Sequence, residues 1–346
     1  MNDIRRVLSY NDVLLCPRCS ELEHLSDADI KVDCGGLAGV YPIINAPMDK
    51  VCSVPLIKFM DRLECATTIH RWFNSAEEQL LFYEMCGIKF EHRCFLAVGN
   101  VAKWKDWIDK LIVYRKEKGD CFSFLVDVAN GDTKSAVDTV KYIKDNMTAG
   151  LIMAGNVATK SGFRRLQEAG ADFIRVGIGG GSICSTRLAT GFGIPTLTSV
   201  MDCASVKDNA CIIADGGIEN SGDICKAMAA GADMVMLGKM LASTSLSNGE
   251  KVEVNGQKFV RYSGMASKEA NEKLKSKKSI VSIEGVSGLI PYSGETEEVV
   301  NNIIGNLQSA VAYYAGCRDW KEFKRSVKFL EITQQGWEES KTRVNL

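Results

Sequence analysis

The chain has 346 residues, of which 46% are hydrophobic and 25% are charged, and its formal net charge is −1. This balance is typical of a globular protein with a sizeable core, and it provides no overall field that would favour nucleic acid or a membrane surface. No apolar stretch has the length of a membrane span, and the first residues lack the apolar core of a signal peptide. We therefore expect a cytoplasmic protein with no nucleic-acid and no membrane partner.

The chain contains thirteen cysteines, an odd number for a sequence with no visible export signal. Reduced thiols, mostly buried as small apolar side chains, are therefore the default expectation. Cys16 and Cys19 have the Cys-x-x-Cys spacing of half a zinc site. Because no second such pair occurs in the sequence, a structural zinc site is the weaker interpretation.

Eight short runs, most of them rich in Val, Ile and Leu, predict β-strands, and segments with a helical spacing of apolar residues lie between them. Near-continuous apolar strands that alternate with helices indicate a parallel sheet covered on both faces. Eight such units favour an α/β fold of the (β/α)₈ TIM-barrel type, as a single domain over residues 1–346, rather than an open sheet. The predicted strands are Pro42–Asn45, Ala66–His70, Cys94–Val98, Phe124–Val128, Leu151–Ala154, Phe173–Ile178, Cys211–Ala214 and Met234–Leu237.

Several segments outside the strands also have readable patterns. Ser135–Asp145 and Thr159–Ala169 predict helices between strands. Val252–Val260 predicts a hairpin on an Asn-Gly turn, and Val299–Ala315 predicts a closing amphipathic helix. Between the last two lies a lysine-rich stretch, and we interpret residues 264–288 as a mobile active-site flap, with a solvated helix as the alternative.

The loop after the sixth predicted strand, from Gly177 to Arg187, combines four glycines with one cysteine. Glycines bring backbone amides close to a ligand, and a row of amides suits a phosphate. Cys184 lies between Ser182 and Thr186, where its thiolate is placed for nucleophilic attack. The alternative is a tight turn with an inert cysteine. A dinucleotide-binding Rossmann motif is rejected, because no strand ending in an acidic residue follows about 20 residues later.

Glycines and polar residues also follow the seventh and eighth predicted strands, where barrel enzymes often hold a phosphate on backbone amides. Asp215, Gly216 and Gly217 follow the seventh strand, and Gly238 follows the eighth. Together with Ser182, they predict a site for a monophosphate. Asp215 is a candidate acceptor for the hydroxyls of a sugar, and capping of the next turn is its alternative role.

Covalent chemistry at Cys184 requires a partner that moves protons. Thr186 is two residues away, but a hydroxyl is too weak a base to act alone. Glu284, in the predicted flap, is a candidate acid–base group. Nothing in the spacing itself brings Glu284 to Cys184.

Five motifs taken together resemble the IMP dehydrogenase/GMP reductase family, and the resemblance covers almost the whole chain. These motifs are Asn45–Asp49, Gly177–Thr186, Asp215–Gly217, Met236–Gly238 and Gly264–Met265.

Four further stretches resemble the GMP reductase branch: Asp127–Gly131, Thr186–Pro195, Gly264–Ala270 and Thr333–Gln335. The predicted flap is short and lacks the Arg-Tyr pair of the dehydrogenases, and the regulatory domain that dehydrogenases commonly insert is absent. Two alternatives stay open. One is an IMP dehydrogenase without its regulatory domain, which converts IMP and NAD to XMP; the other is a non-catalytic purine-nucleotide sensor.

The resemblance implies NADPH-dependent reductive deamination of GMP to IMP and ammonia. Cys184 would attack C2 of the purine, and ammonia would leave with protonation through Thr186 and Glu284. The resemblance also implies a homotetramer and a potassium ion held by loop carbonyls. The implied contacts are Ser182, Asp215, Gly216, Gly217, Gly238, Met265 and Ala266 for the substrate; Arg71, Asp127, Ala129 and Asn130 for the cofactor; and Gly179, Gly181 and Cys184 for potassium.

The sequence departs from the family pattern at several positions. Arg71 and Trp72 replace the usual lysine and the histidine found in reductases, and an arginine cannot give up its proton as a lysine can. Lys239 replaces a small residue beside the phosphate turn, where it either neutralises phosphate charge or faces water. Val281 and Ile283 stand where reductases often have polar or basic residues, and Glu284–Gly288 resembles the dehydrogenases instead.

Overall fold

A computed structural model of the chain describes residues 4–89, 91–119, 121–147, 149–264 and 287–341. Eight consecutive strands in these ranges pair in parallel with their neighbours. The last of them pairs in parallel with the first, Val235 with Ile43 and Leu237 with Asn45, which closes the sheet. Helices lie between the strands, so the predicted (β/α)₈ TIM barrel is confirmed.

All eight predicted strands are present, and two of them have the predicted ends. β3 starts five residues earlier than predicted, because its first part pairs antiparallel with β2. β8 ends two residues earlier, because Gly177 and Gly179 adopt positive φ angles and turn the chain into the loop. The barrel strands are β3 (Leu37–Asn45), β4 (Cys65–Ile69), β5 (Cys94–Val98), β6 (Ser123–Asp127), β7 (Ile152–Val157), β8 (Phe173–Val176), β9 (Cys211–Asp215) and β10 (Met234–Leu237), and β2 is Val32–Cys34.

Helices cover the outside of the barrel, and capping residues begin several of them. The side chains of Thr133 and Thr159 accept the backbone N–H groups of Ala136 and Gly162, as expected for N-caps. The two predicted inter-strand helices agree with α4 and α5 to within one residue at each end. The helices are α1 (Val54–Arg62), α2 (Ala76–Cys86), α3 (Val101–Lys118), α4 (Lys134–Asn146), α5 (Lys160–Glu168), α6 (Thr186–Thr190), α7 (Thr196–Ala204), α8 (Ser221–Ala229), α9 (Lys239–Ala242), α10 (Thr296–Ser309), α11 (Trp320–Ser326) and α12 (Gln334–Glu339).

The predicted closing helix differs in its bounds. α10 begins at Thr296, three residues before the predicted start, and a π-helical turn over Ala310–Tyr314 takes the place of its predicted last part. None of the helices in the described ranges is long and apolar enough to cross a bilayer.

The predicted hairpin is present as β11 (Lys251–Val254) and β12 (Gln257–Ser263), with Asn255 and Gly256 at the turn. A third strand that the sequence did not predict, β13 (Ser287–Pro291), pairs antiparallel with β12. Because Ser263 pairs with Ser287, the two ends of the predicted flap lie side by side. Apart from Gly264 and residues 287–288, the flap itself lies outside the described residues.

Three very short strands also escaped prediction in the described ranges: β2, and the antiparallel pair β1 (Val13–Leu15) and β14 (Phe329–Glu331). Three residues are too few to show a period in the sequence.

The side chains inside the barrel change from apolar to charged along its axis. A cluster of fully buried apolar side chains fills its lower part, with Phe95 and Phe173 in edge-to-face contact at a centroid distance of 5.7 Å. Strand residues two positions apart point to the same side. The inward positions that follow this cluster on β6, β8 and β9 are Asp127, Arg175 and Asp215. Along β6, β8 and β9, the inward-facing charges of the described strands therefore lie above an apolar plug.

Candidate active site

A cavity of ≈ 370 Å³ opens at the carboxyl ends of the barrel strands. This is the end at which barrel enzymes build their sites. Most of the predicted site residues meet there, although they come from the ends of five different barrel strands and the loops that follow them. Those that line the cavity are Arg71, Asp127, Ala129, Gly179, Gly181, Ser182, Cys184, Thr186, Asp215, Gly216, Gly217 and Gly238.

Four predicted residues are not among those that line the cavity. Asn130 is exposed, and its side-chain oxygen accepts the N–H of Asp132 at 3.0 Å, so it caps a turn. Met265, Ala266 and Glu284 lie outside the described residues.

The loop from Gly177 to Arg187 presents the Cys184 thiol to the cavity. The half-buried Sγ donates a hydrogen bond to the hydroxyl of Thr186 at 3.1 Å. The Cys184 N–H donates to the carbonyl of Gly181 at 3.0 Å. Arg187 holds the outer side of the loop, because its guanidinium donates to the carbonyls of Ile178 and Ile194. A proton on Sγ therefore has an immediate acceptor, and the loop that carries it is braced.

The predicted phosphate turn after β9 packs against the glycine-rich loop after β8. Gly216 and Gly217 have φ angles of +95° and +80°, which bulkier residues rarely adopt. A Cβ atom on Gly216 would lie 3.0 Å from the backbone of Gly180, so a side chain at this position would separate the loops. The close approach of the loops brings the amides after β8 and β9 to one edge of the cavity.

Tyr262, on β12, belongs to this edge and was missed in the sequence. Its ring is buried, its hydroxyl lies near Ser182, and this hydroxyl donates a hydrogen bond to Met48 Sδ at 3.5 Å. A Cβ atom on Gly238 would lie 2.9 Å from the Tyr262 oxygen. Burial raises the pKa of Tyr262, so the hydroxyl stays protonated and can donate. Val260 and Tyr262 are both buried and lie on the same face of β12. Their spacing of two residues is visible in the sequence and could have indicated this buried face.

Arg175 is the second residue that sequence reasoning missed. It is only 7% exposed, and it bridges two carboxylates, with Nη1 at 2.6 Å from Asp127 Oδ1 and Nη2 at 2.9 Å from Asp215 Oδ2. Asn156 also donates to Asp215 Oδ2, at 2.8 Å. The sequence did contain a signal for Arg175. It is a single arginine inside the apolar run of β8, and a buried charge needs a partner.

The two arginines of the cavity set the charge state of Asp127. Burial would raise the pKa of Asp127, but the nearby guanidinium groups of Arg175 and Arg71 outweigh it and hold this pKa below its ordinary value. Asp127 therefore stays ionised and ties β6 to Arg71 and to β8.

Arg71 and Trp72 form the far end of the cavity. The Arg71 guanidinium lies over two indole rings, 4.6 Å from the centroid of Trp72 and 5.3 Å from that of Trp104, and its Nε is 3.3 Å from Asp127. His70 precedes them and is buried, which lowers its pKa to about 4. It is therefore neutral at pH 7, and its Nδ1 accepts the N–H of Trp72 at 3.1 Å. Its contact with Asp49, at 3.9 Å, is accordingly not an ion pair.

Cys16 and Cys19 show no sign of a metal centre. All thirteen cysteines are free thiols. Within the described ranges, no cluster of three or more His, Cys, Asp or Glu side chains is arranged to hold a metal ion.

Comparison with known proteins agrees with this geometry. The family model described as "IMP dehydrogenase / GMP reductase domain" matches residues 7–343. The chain belongs to the IMP dehydrogenase/GMP reductase family. Both parts of that name denote oxidoreductases, so the chain is a member of an enzyme family.

GMP reductases and IMP dehydrogenases are both similar to the chain, but they differ in sequence identity and in the share of the chain that they match. GMP reductase 2 of Bos taurus is 35% identical over 342 residues, which cover 96% of each chain, and the GMP reductase of Caenorhabditis elegans is 34% identical over 95% of this chain and 92% of its own. The inosine-5′-monophosphate dehydrogenase of Aquifex aeolicus is 44% identical over 225 residues, which cover 62% of this chain and 46% of its own. The chain thus spans about half the length of that dehydrogenase and nearly all of the reductases.

Proposed function

We propose that the chain is a GMP reductase that converts GMP to IMP and ammonia with NADPH, through a covalent bond between Cys184 and C2 of the purine. The observation that carries the proposal is the arrangement of one cavity. The same cavity is lined by Cys184, by the loops that carry Ser182, Gly216 and Gly238, and by Trp72. Alignment with reductases over nearly their whole length supports this branch of the family.

The substrate half of the cavity suits a nucleoside monophosphate. Backbone amides at the glycine turns and the hydroxyls of Ser182 and Tyr262 would hold the phosphate. The bonds from Arg175 and Asn156 all go to Oδ2 of Asp215. Its Oδ1 therefore remains available, among the described residues, to accept a ribose hydroxyl. With phosphate and ribose held, the purine would reach Cys184.

The chemistry begins with Cys184 and Thr186. We propose that Sγ gives its proton to the hydroxyl of Thr186, along the hydrogen bond that joins them, while Thr186 gives its own hydroxyl proton to Glu284, and the thiolate adds to C2 of the purine. The C2–N bond then breaks, and the amino group leaves as ammonia with a proton returned through Thr186. Glu284 is the proposed second acid–base group. The product of this step is a thioimidate between Cys184 and the purine.

The second step frees the enzyme. NADPH, when bound, supplies the hydride that is added at C2. The C–S bond breaks, its electrons return to Sγ as thiolate, and IMP is released. The task of the protein is to hold C2 between Sγ and the cofactor end of the cavity.

The residues at the far end fit a nicotinamide cofactor. Trp72 offers a flat face, and its buried indole N–H has no hydrogen-bond partner in the described structure. Asp127 and Ala129 line the same end. Arg71 keeps a permanent positive charge, since a guanidinium does not release its proton. We therefore place Arg71 at the cofactor, as a fixed charge, and leave proton transfer to Thr186 and Glu284.

The family resemblance supports three further features of the proposal. A potassium ion would bind the carbonyls of Gly179, Gly181 and Cys184; the Gly181 carbonyl accepts one hydrogen bond, from Cys184, and has a second lone pair. The enzyme would be a cytoplasmic homotetramer. Exchange of potassium for lithium in the assay and sedimentation of the purified protein test the first and the last of these.

The experiment follows nicotinamide absorbance in the near ultraviolet in two mixtures, GMP with NADPH and IMP with NAD. We expect a GMP-dependent fall in the first mixture and no change in the second. NADH in place of NADPH in the first mixture tests the cofactor. A change only in the second mixture would refute the reductase, and silence in both with GMP still bound would favour a nucleotide sensor.

A second candidate is an IMP dehydrogenase that makes XMP. The observation in its favour is the identity to the Aquifex aeolicus dehydrogenase, 44% over its aligned part against 34–35% for the reductases. The two-mixture experiment separates the candidates, because the nicotinamide absorbance moves in opposite directions.

A further inference from the structure

The charges that line the cavity are unequal in number. Two carboxylates, Asp127 and Asp215, and three cations, Arg71, Arg175 and Lys239, occur among its described lining residues. Both arginines are committed to the carboxylates by ion pairs. Lys239 is therefore the surplus positive charge of the described cavity wall.

Lys239 lies at the phosphate edge of this wall. It follows Gly238 directly and lines the cavity together with Gly216 and Gly217. Its side chain is 40% exposed, so it can change conformation without disturbing the core. The glycine turns at this edge offer amides, and Ser182 and Tyr262 offer hydroxyls, none of which carries a formal charge.

Glu219 holds Lys239 weakly. The Lys239 Nζ lies 3.6 Å from Glu219 Oε1, and the Glu219 side chain is 59% exposed. An exposed ion pair with this separation stabilises little. Glu219 also lines a separate cavity of ≈ 480 Å³ between α8 and α10, so its carboxylate has space to move away from the phosphate edge.

We infer that Lys239 is a specificity-determining residue that binds the phosphate of the substrate, and that Glu219 restrains it until a phosphate arrives. The inference rests on the proposed function, since it assumes a nucleoside monophosphate in the cavity. The phosphate dianion carries more charge than the Glu219 carboxylate and is held by the glycine turns at the same time. Lys239 therefore exchanges Glu219 for the phosphate. The positive charge of Lys239 adds to the hydrogen bonds of the glycine turns, so the enzyme binds the nucleotide in preference to its nucleoside.

The test measures the dissociation constants of GMP and of guanosine by titration calorimetry for the wild type, Lys239→Met, Lys239→Arg and Glu219→Gln. We expect Lys239→Met to weaken GMP roughly tenfold, the size of a charge-assisted hydrogen bond, and to leave guanosine unchanged. Lys239→Arg keeps the charge and should stay within about threefold of the wild type. Glu219→Gln removes the competing carboxylate and should tighten GMP by about twofold.

A salt series sharpens the measurement. Because Lys239 acts through charge, GMP binding by Lys239→Met should weaken less between low and high salt than binding by the wild type. Circular dichroism of each variant shows that the fold is kept.

Two results would overturn the inference: GMP binding by Lys239→Met that equals the wild type, or an equal loss of GMP and guanosine. The proposed function can fail separately. A wild type that binds neither GMP nor guanosine would remove the proposed function, and the inference with it, whereas normal GMP turnover by Lys239→Met with unchanged affinity would remove only the inference.

Discussion

The lower and upper parts of the barrel interior are built from the same strands, but the lower part contains apolar side chains and the upper part contains charged ones. On β8, Phe173 lies in the apolar plug, and Arg175, two residues further, bridges two carboxylates. On β6, Leu125 and Asp127 repeat this change over the same two-residue step. Residues two apart on a strand face the same side. One such step along the barrel axis therefore leads from an apolar core residue to a charged residue of the cavity.

The difference teaches where each kind of substitution will act. The plug needs mainly volume and apolar surface, because almost all of its side chains are hydrocarbons or thioethers. The upper part needs a partner for every charge, because an unpaired charge in this position is costly. Changes in the plug should therefore affect stability alone, whereas changes at the upper edge should affect binding or turnover as well.

The largest effect is expected at the upper edge, from Cys184→Ser. A hydroxyl is a far weaker nucleophile than a thiolate, so turnover of GMP should fall by about 10⁴-fold or more, while GMP affinity stays within about threefold. Steady-state assays and calorimetry measure the two quantities. Cys19→Ser, at an exposed thiol, is the control and should keep full activity. Residual turnover near the wild-type rate would rule out covalent attack by Cys184.

In the plug, Phe173→Ala should lower the free energy of unfolding by about 4 kcal/mol, since a fully buried ring leaves a cavity. The kcat of the folded fraction should stay within about twofold, because the plug makes no polar contact with the site. Urea unfolding and activity below the transition test both statements. Phe192→Ala, at a ring that is 77% exposed, is the matched control with little change in stability. A large drop in kcat would show that the two parts of the barrel are not independent.

Arg175→Met should combine the two effects. Loss of the guanidinium leaves Asp127 and Asp215 without a common partner, at a cost of about 3 kcal/mol in stability, and GMP binding should weaken because Asp215 loses its fixed position. The control is Arg165→Met, which removes an ion pair with Asp132 on the surface, where Arg165 is 52% exposed. This control should cost less than about 1 kcal/mol. Equal losses from the two variants would contradict the role of burial.

The same variant changes the response to acid. The pKa of Asp127 is lower in the folded state than its ordinary value. Its ionisation therefore contributes stability that is present above an unfolded-state pKa of about 3.9 and is lost as the pH falls through the folded-state value. Arg175→Met weakens the depression, so its acid-unfolding midpoint should move to higher pH, beyond any shift seen with Arg165→Met. An unchanged midpoint in an acid titration followed by circular dichroism would count against the ion pair.

The smallest effect is expected from Tyr262→Phe. Loss of one hydroxyl near Ser182 should weaken GMP by about fivefold, which is the net contribution of one typical hydrogen bond, with guanosine unaffected. Tyr313→Phe, at an exposed ring, should bind GMP as the wild type does. Equal weakening of GMP and guanosine by Tyr262→Phe would place its hydroxyl away from the phosphate.

The sequence by itself determined the barrel and most of the wall of its cavity. The apolar period located all eight strands, and the glycines after β8, β9 and β10 marked the loops that meet at the carboxyl end. Both signals are local, because side-chain alternation and positive φ angles depend on a residue and its near neighbours. Cys184 could be selected as the candidate nucleophile for the same reason, since it lies inside one of those loops.

Only the tertiary structure decided how the charges pair. Arg175 meets Asp127 and Asp215 from 48 and 40 residues away, and Tyr262 reaches Ser182 from a hairpin outside the barrel. The curvature of the closed barrel brings Asp127 and Arg175 together, because they lie on strands that are not adjacent, and the position of the hairpin decides the contact of Tyr262. A charged residue in an apolar strand predicts that a group of opposite charge lies nearby. The tertiary structure determines which residue supplies that group.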